Sequence, residues 1–292
     1  FPVTFKEYLR SADNALYNQL LDFVGNTDSI PSILFNRIEE FYHSYQICGG
    51  LPLSARSMID NSGLEIVEKI LEENLMAYEI DFSKHSLHSD IPKIHAIWNS
   101  TPEQLSRENN KFVYRVVREG ARAREYENAL QWLVDAGMLY RVKLCEKPEL
   151  PLNFYENNTA FKVYLLDIGL LRKLSKLPAE IFVSSTNLFT EFKGALAENF
   201  VLTSLLAQGF DIPNYWTLQG NKAEVDFLIA SKLAVIPIEV KSDRRISGKS
   251  FAEYDKKYNP SLRIRLSMNN IKKDGNLLNL PIFMADWIKE YV

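Results

Sequence analysis

Glu224-Val-Asp-Phe-Leu228 and Pro237-Ile-Glu-Val-Lys-Ser242 bracket the stretch whose reading decides the fold. Residues 225–230 and 235–240 are short, apolar and β-branched, and read as buried central strands. A charge inside such a run is costly unless it is paired or binds a metal. Yet Asp226 stands early in the first run, and Glu239 and Lys241 stand at the end of the second. Alternate residues of a strand share a face, so Glu239 and Lys241 point one way while Val240 points into the core. A hairpin brings Asp226 alongside Glu239. Two converging carboxylates repel, and a divalent cation relieves the repulsion. Mg²⁺ or Mn²⁺ is the expected cofactor, with Asp226, Glu239 and the Val240 carbonyl as ligands and water completing the shell. Lys241 then orients or activates water, or stabilises charge on a phosphate. Glu198, in the preceding helix, reaches the metal directly or through water. The competing reading of Glu239 and Lys241 is a salt bridge at a sheet end.

Outward from this pair, the order from Gly194 is α, then β-β-β, then α, then β. Residues 196–208 read as a helix closed by Gly209, 214–218 as a strand before a turn at Gly220-Asn221, 251–258 as a helix and 262–266 as an alternating strand. The expected domain is α/β over 194–292, with a central mixed sheet flanked by helices. Residues 148–193 form a connector punctuated by Pro148 and Pro151, with a strand at 161–167 and a short helix at 168–174.

Residues 91–147 read as a winged-helix-like module. One helix spans 91–98, and Thr101-Pro-Glu-Gln104 caps another. Tyr126, Ala129, Leu130, Leu133 and Val134 make an apolar stripe, Gly137 is a helix C-cap, and 138–144 is a strand. Lys111, Arg115, Arg118, Arg122 and Arg124 precede the last helix, and Arg141 and Lys143 lie on the wing strand. They are candidate DNA contacts; the alternative is a solvated face on a packing module. Residues 1–90 read as all-helical, with capping boxes at Thr4-Phe-Lys-Glu7 and Ser62-Gly-Leu-Glu65 and a turn at Gly49-Gly50.

Composition narrows the class. A hydrophobic fraction of 46% with 24% charged residues is that of an ordinary globular protein. No apolar run has the length of a membrane span, and two distant cysteines, Cys48 and Cys145, make no disulfide framework, so a cytoplasmic location without membrane partners is expected. Residues 1–100 carry 7 Lys and Arg against 14 Asp and Glu, and the remainder 27 against 23, so a polyanion should prefer the later part. The chain opens Phe1-Pro-Val-Thr4 without an initiator Met, which fits a fragment. His85-Ser-Leu-His88 lacks a third ligand and reads as a surface loop. Asp243-Arg-Arg-Ile-Ser-Gly-Lys-Ser250 ends like a phosphate-binding loop but has Asp243 where that loop needs glycine, so no ATP site is expected.

Asp226, Glu239-Val-Lys241 and helix-borne Glu198 together resemble the PD-(D/E)xK (restriction-endonuclease-like) nuclease superfamily. The wider set Gly194-Ala-Leu-Ala-Glu-Asn-Phe200, Glu224 to Leu228 and Pro237 to Ser242 resembles the C-terminal domain of unknown function of a large group of prokaryotic AAA-type ATPases. Phe1-Pro-Val-Thr-Phe5, Tyr45 to Pro52, Asn109-Asn-Lys-Phe112, Ala121 to Glu127 and Asp167 to Leu171 resemble the same group, so the likeness runs along the whole chain. It implies a P-loop ATPase core ahead of residue 1, absent here, as a partner, and ATP binding in the full-length protein. It also implies a metal-dependent DNA nuclease site at Glu198, Asp226, Glu239 and Lys241. A non-catalytic DNA- or protein-binding module, and a scaffold for homo-oligomerisation of the ATPase, are the alternatives.

Overall fold

Thr4 starts the first helix, α1 (Phe5–Ala12), through the expected capping box: the Glu7 N–H donates to Thr4 Oγ1 at 3.4 Å, and the Thr4 N–H donates to Glu7 Oε2 at 2.8 Å. In the computed structural model, which describes residues 2–107, 111–183, 190–218, 220, 223–244 and 249–292, α2 (Asn14–Leu21), α3 (Ser32–Cys48), α4 (Pro52–Ile59) and α5 (Leu64–His85) follow. The second expected capping box does not form. Gly63 is the N-cap of α5 at φ +98° with no side-chain cap bond, and the Ser62 N–H instead donates to Ser57 O at 3.0 Å, closing α4.

The break expected at Thr101 is also absent. One helix, α6 (Ile91–Ser106), runs through Pro102. An interior proline costs about 3 kcal/mol and removes the donor for the carbonyl four residues back. Full burial of Trp98, Thr101, Gln104 and Leu105 along one stripe outweighs that loss. Thr101 Oγ1 donates to Ile97 O at 3.1 Å. Gln104 ties both polar groups of Val113, each at 3.0 Å.

After α7 (Tyr114–Val117), α8 (Ala123–Asp135) ends in a Schellman turn. Gly137 has φ +71°, its N–H donates to Val134 O, and the Met138 N–H donates to Leu133 O. Then come β1 (Leu139–Cys145), β2 (Glu156–Leu165), α9 (Ile168–Leu174), α10 (Glu180–Val183), α11 (Thr190–Ala207), β3 (Asn214–Thr217), β4 (Glu224–Ser231), β5 (Ala234–Val240), α12 (Lys249–Tyr258), β6 (Arg263–Ser267), β7 (Lys272–Asp274) and β8 (Leu277–Pro281), closed by a 3-10 segment Ile282–Glu290. The strand expected at 161–167 starts earlier and stops at Leu165, because Asp167 is the N-cap of α9 and accepts from the Leu170 N–H at 2.9 Å.

The chain forms two compact units. The first comprises residues 1–3, 43–141 and 162–196, and the second 4–42, 142–161 and 197–292. The first is helical, with Phe82 edge-on to Trp98 and Trp132 at 5.3 and 5.7 Å in its core. The second holds the strands β3 to β8, in the sheet order β3-β4-β5-β6-β8-β7. Phe5 of α1 packs there against Tyr42, Phe200 and Phe283, with ring centroids 5.7, 6.4 and 6.5 Å away. The expected α-β-β-β-α-β order is therefore α11, β3, β4, β5, α12 and β6. Among the described residues no helix is long and apolar enough to cross a membrane. Asn109, Asn110, Asn221 and residues 245–248, on which parts of the sequence reading fall, lie outside the described residues.

Candidate functional site

The β4–β5 hairpin brings the carboxylates together. Its antiparallel register runs from Ser231 opposite Ala234 to Phe227 opposite Ile238. One residue further along that register, Asp226 falls opposite Glu239. Asp226 is 8% exposed, and its Oδ2 accepts the Val240 N–H at 2.7 Å. Glu239 is 1% exposed; its Oε1 lies 3.5 Å from Lys241 Nζ. Val240 is buried, as the alternation requires.

Lys241 follows directly on β5, and its N–H donates to Leu266 O at 2.8 Å, fixing the backbone where the side chain leaves the sheet. Burial alone would lower the pKa of its ammonium. The charges of Asp226, Glu239 and Glu198 outweigh burial and hold it above the ordinary lysine value. Glu198, half-buried on α11, is thus within electrostatic reach of the same ammonium.

Sequence reasoning missed Arg265. Strand β6 runs parallel to β5 with Arg265 paired to Glu239, and Arg265 Nε donates to Glu239 Oε2 at 2.7 Å. The available signal was the alternation of Arg263 and Arg265. The pairing of β5 with β6 is separated by α12 and has no local signature.

The donor set suits a hard divalent cation in kind. Asp226 and Glu239 offer carboxylate oxygens, and among the described residues Glu239 Oε1 is buried with Lys241 Nζ at 3.5 Å but no hydrogen bond. Among the described residues, however, no group of three or more His, Cys, Asp or Glu gathers closely enough to hold a metal.

The basic residues divide into two groups. Lys111, Arg115, Arg118, Arg122 and Arg124 are exposed. Arg141 is paired with Glu127 at 2.8 Å, and Lys143 with Glu156 at 2.8 Å. Glu127 also accepts from the Tyr114 hydroxyl at 2.5 Å. Burial would raise its pKa, but the Tyr114 and Arg141 bonds hold it below the usual carboxylate value. Arg244, in the stretch resembling a phosphate loop, pairs with Glu39 at 2.6 Å and lies over Phe35. His88 is exposed in a turn, and Cys48 and Cys145 are buried free thiols.

Comparison with known proteins gives two adjoining matches. Residues 193–283, the stretch that carries this site, match the family described as Domain of unknown function (DUF4143), which is often the C-terminal domain of AAA-type ATPases. Residues 39–181 match a second, described as Domain of unknown function (DUF8612). No curated protein and no solved structure matches the chain.

Proposed function

We propose that the second unit is a restriction-endonuclease-like module that hydrolyses phosphodiesters of DNA, in the C-terminal part of an AAA-type ATPase. The observation that carries this reading is Glu239: a buried carboxylate opposite Asp226, in contact with Lys241, with Oε1 lacking a hydrogen bond among the described residues. Asp226, Glu239 and the Val240 carbonyl would hold Mg²⁺ or Mn²⁺, which when bound supplies a Lewis acid for a phosphoryl oxygen and a water of lowered pKa. Lys241 takes the electrostatic role. Its ammonium, 3.5 Å from Glu239, would add positive charge where negative charge grows on the phosphate. Glu198 adds negative charge from the helix side and so favours a cation.

The test is cleavage of DNA with Mg²⁺ or Mn²⁺ against EDTA, read only by comparison of variants. Lys241→Ala should lose rate more than metal affinity, while Asp226→Ala and Glu239→Ala lose both, and Glu198→Ala weakens metal binding less than either. Cleavage by Glu239→Ala as fast as by the wild type would sink the proposal.

Arg265 favours a second reading. It neutralises one oxygen of Glu239, as a retired nuclease site serving as a DNA- or protein-binding module would allow. DNA retention without cleavage by any variant, with metal present, is the result that selects it. In either reading residues 91–147 would act as a winged-helix-like module. Lys111, Arg115, Arg122 and Arg124 are its exposed cations, whereas Arg141 and Lys143 would have to leave Glu127 and Glu156 to touch a phosphate.

A further inference from the structure

Arg265 is built into the site more firmly than a surface counter-ion. Its side chain is 13% exposed, it lies in register with Glu239, and its guanidinium sits 5.7 Å from the ring of Phe251, which α12 buries. Its neighbour on the same face, Arg263, is committed elsewhere, to Asp255 at 3.2 Å and to Asn276. Glu239 thus has two cations at contact distance, Arg265 at 2.7 Å and Lys241 at 3.5 Å, with Asp226 opposite it in the hairpin register. A divalent cation must enter a cluster whose most buried carboxylate is already half neutralised. Coulomb repulsion between a divalent ion and a fixed guanidinium a few ångströms away is large at any interior dielectric.

We propose that Arg265 is the resident counter-ion of Glu239 and sets how tightly the site takes a divalent cation. With Arg265 in place, Glu239 stays folded into the sheet without metal, and the cation binds against the repulsion of the guanidinium. Without it, the buried carboxylate has only Lys241 and gains most from a cation. Arg265 is a positioning residue here, and the idea rests on the metal-binding reading of Asp226 and Glu239.

Calorimetry with Mn²⁺ on the full chain tests it. Arg265→Gln should bind Mn²⁺ roughly tenfold more tightly than the wild type, a modest figure for the loss of one unit charge at this range. Arg265→Lys keeps the charge but loses the Nε bond and the ring contact, and should tighten binding about threefold. This variant carries the test if Arg265→Gln does not fold. In thermal melts Mn²⁺ should raise the midpoint of each variant more than that of the wild type, which a merely structural arginine would not produce. Equal or weaker Mn²⁺ binding by the variants overturns the proposal while leaving the metal site standing. No Mn²⁺ heat from the wild type or either variant removes the metal site itself, and the proposal with it.

Discussion

Two charge clusters of like composition, each a glutamate between an arginine and a lysine, occur one in each unit. In the helical unit, Glu68 takes Arg172 on one oxygen and Lys173 on the other, the latter at 3.0 Å. The buried member is the cation: Arg172 has no exposure, and spends Nε on Ile47 O at 3.1 Å and Nη1 on Leu177 O at 2.8 Å. The Glu68 side chain is 29% exposed. In the sheet unit the buried member is the anion. Glu239 is sealed, and among the described residues its Oε1 has only the ammonium of Lys241 at 3.5 Å and no hydrogen bond. A buried polar group that is fully partnered holds structure together, while one left with spare capacity calls for a ligand. Each sets one glutamate between an arginine and a lysine; the difference lies in which sign is desolvated and whether its bonding is complete.

The largest expected effect is in the saturated cluster. Arg172→Met leaves two buried carbonyls without donors and should cost about 3–5 kcal/mol in urea unfolding with no change in Mn²⁺ binding. A loss under about 1 kcal/mol would break the contrast, since the cluster would then not be structural. Next is Glu239→Gln. Both its cations keep some access to water, so the cost in stability should be only about 1–3 kcal/mol, while the Mn²⁺ heat vanishes. Unchanged heat would mean that the oxygen without a hydrogen bond has no part in cation binding.

Alkaline unfolding sharpens the same contrast. The Lys241 pKa is raised in the folded state, so its contribution is fully present below the unfolded value near 10.5 and is lost as pH rises through the higher folded value. The wild type should therefore lose more stability than Lys241→Met above that pH, and parallel curves would show that the carboxylates do not hold the ammonium. The smallest effect should come from Lys69→Ala on α5, whose partner Glu73 lies 3.8 Å away with both side chains largely exposed. A change beyond about 0.5 kcal/mol there would show that exposure is a poor guide to these clusters.

Local chemistry was legible in the sequence where one short segment decides it. The β4–β5 hairpin with Asp226, Glu239 and Lys241, the Thr4 capping box and the Gly137 cap depend on neighbours a few residues apart. What stayed hidden depends on distant partners. Arg265 reaches Glu239 through a parallel pairing across α12, and β8, which pairs with β6, did not announce itself in Leu277-Leu-Asn-Leu-Pro281. Pro102 signalled a break that the buried stripe of α6 overrode. Arg141 and Lys143 read as free cations because Glu127 and Glu156 are not adjacent to them in sequence.

The anchoring of α1 bears on how this protein is made. Asp286 accepts the Lys6 N–H at 2.8 Å across 280 residues of sequence, and Phe5 rests on Phe200 and Phe283. A ribosome delivers α1 long before any of these partners, and an isolated eight-residue helix has little stability of its own. Phe5, Tyr8 and Leu9, all buried in the finished fold, therefore lack their distant partners throughout the synthesis of the intervening chain. A helix translated well before its partners is thus among the last elements to find its place, and nascent chains stalled before residue 283 present its apolar face to whatever chaperone is near.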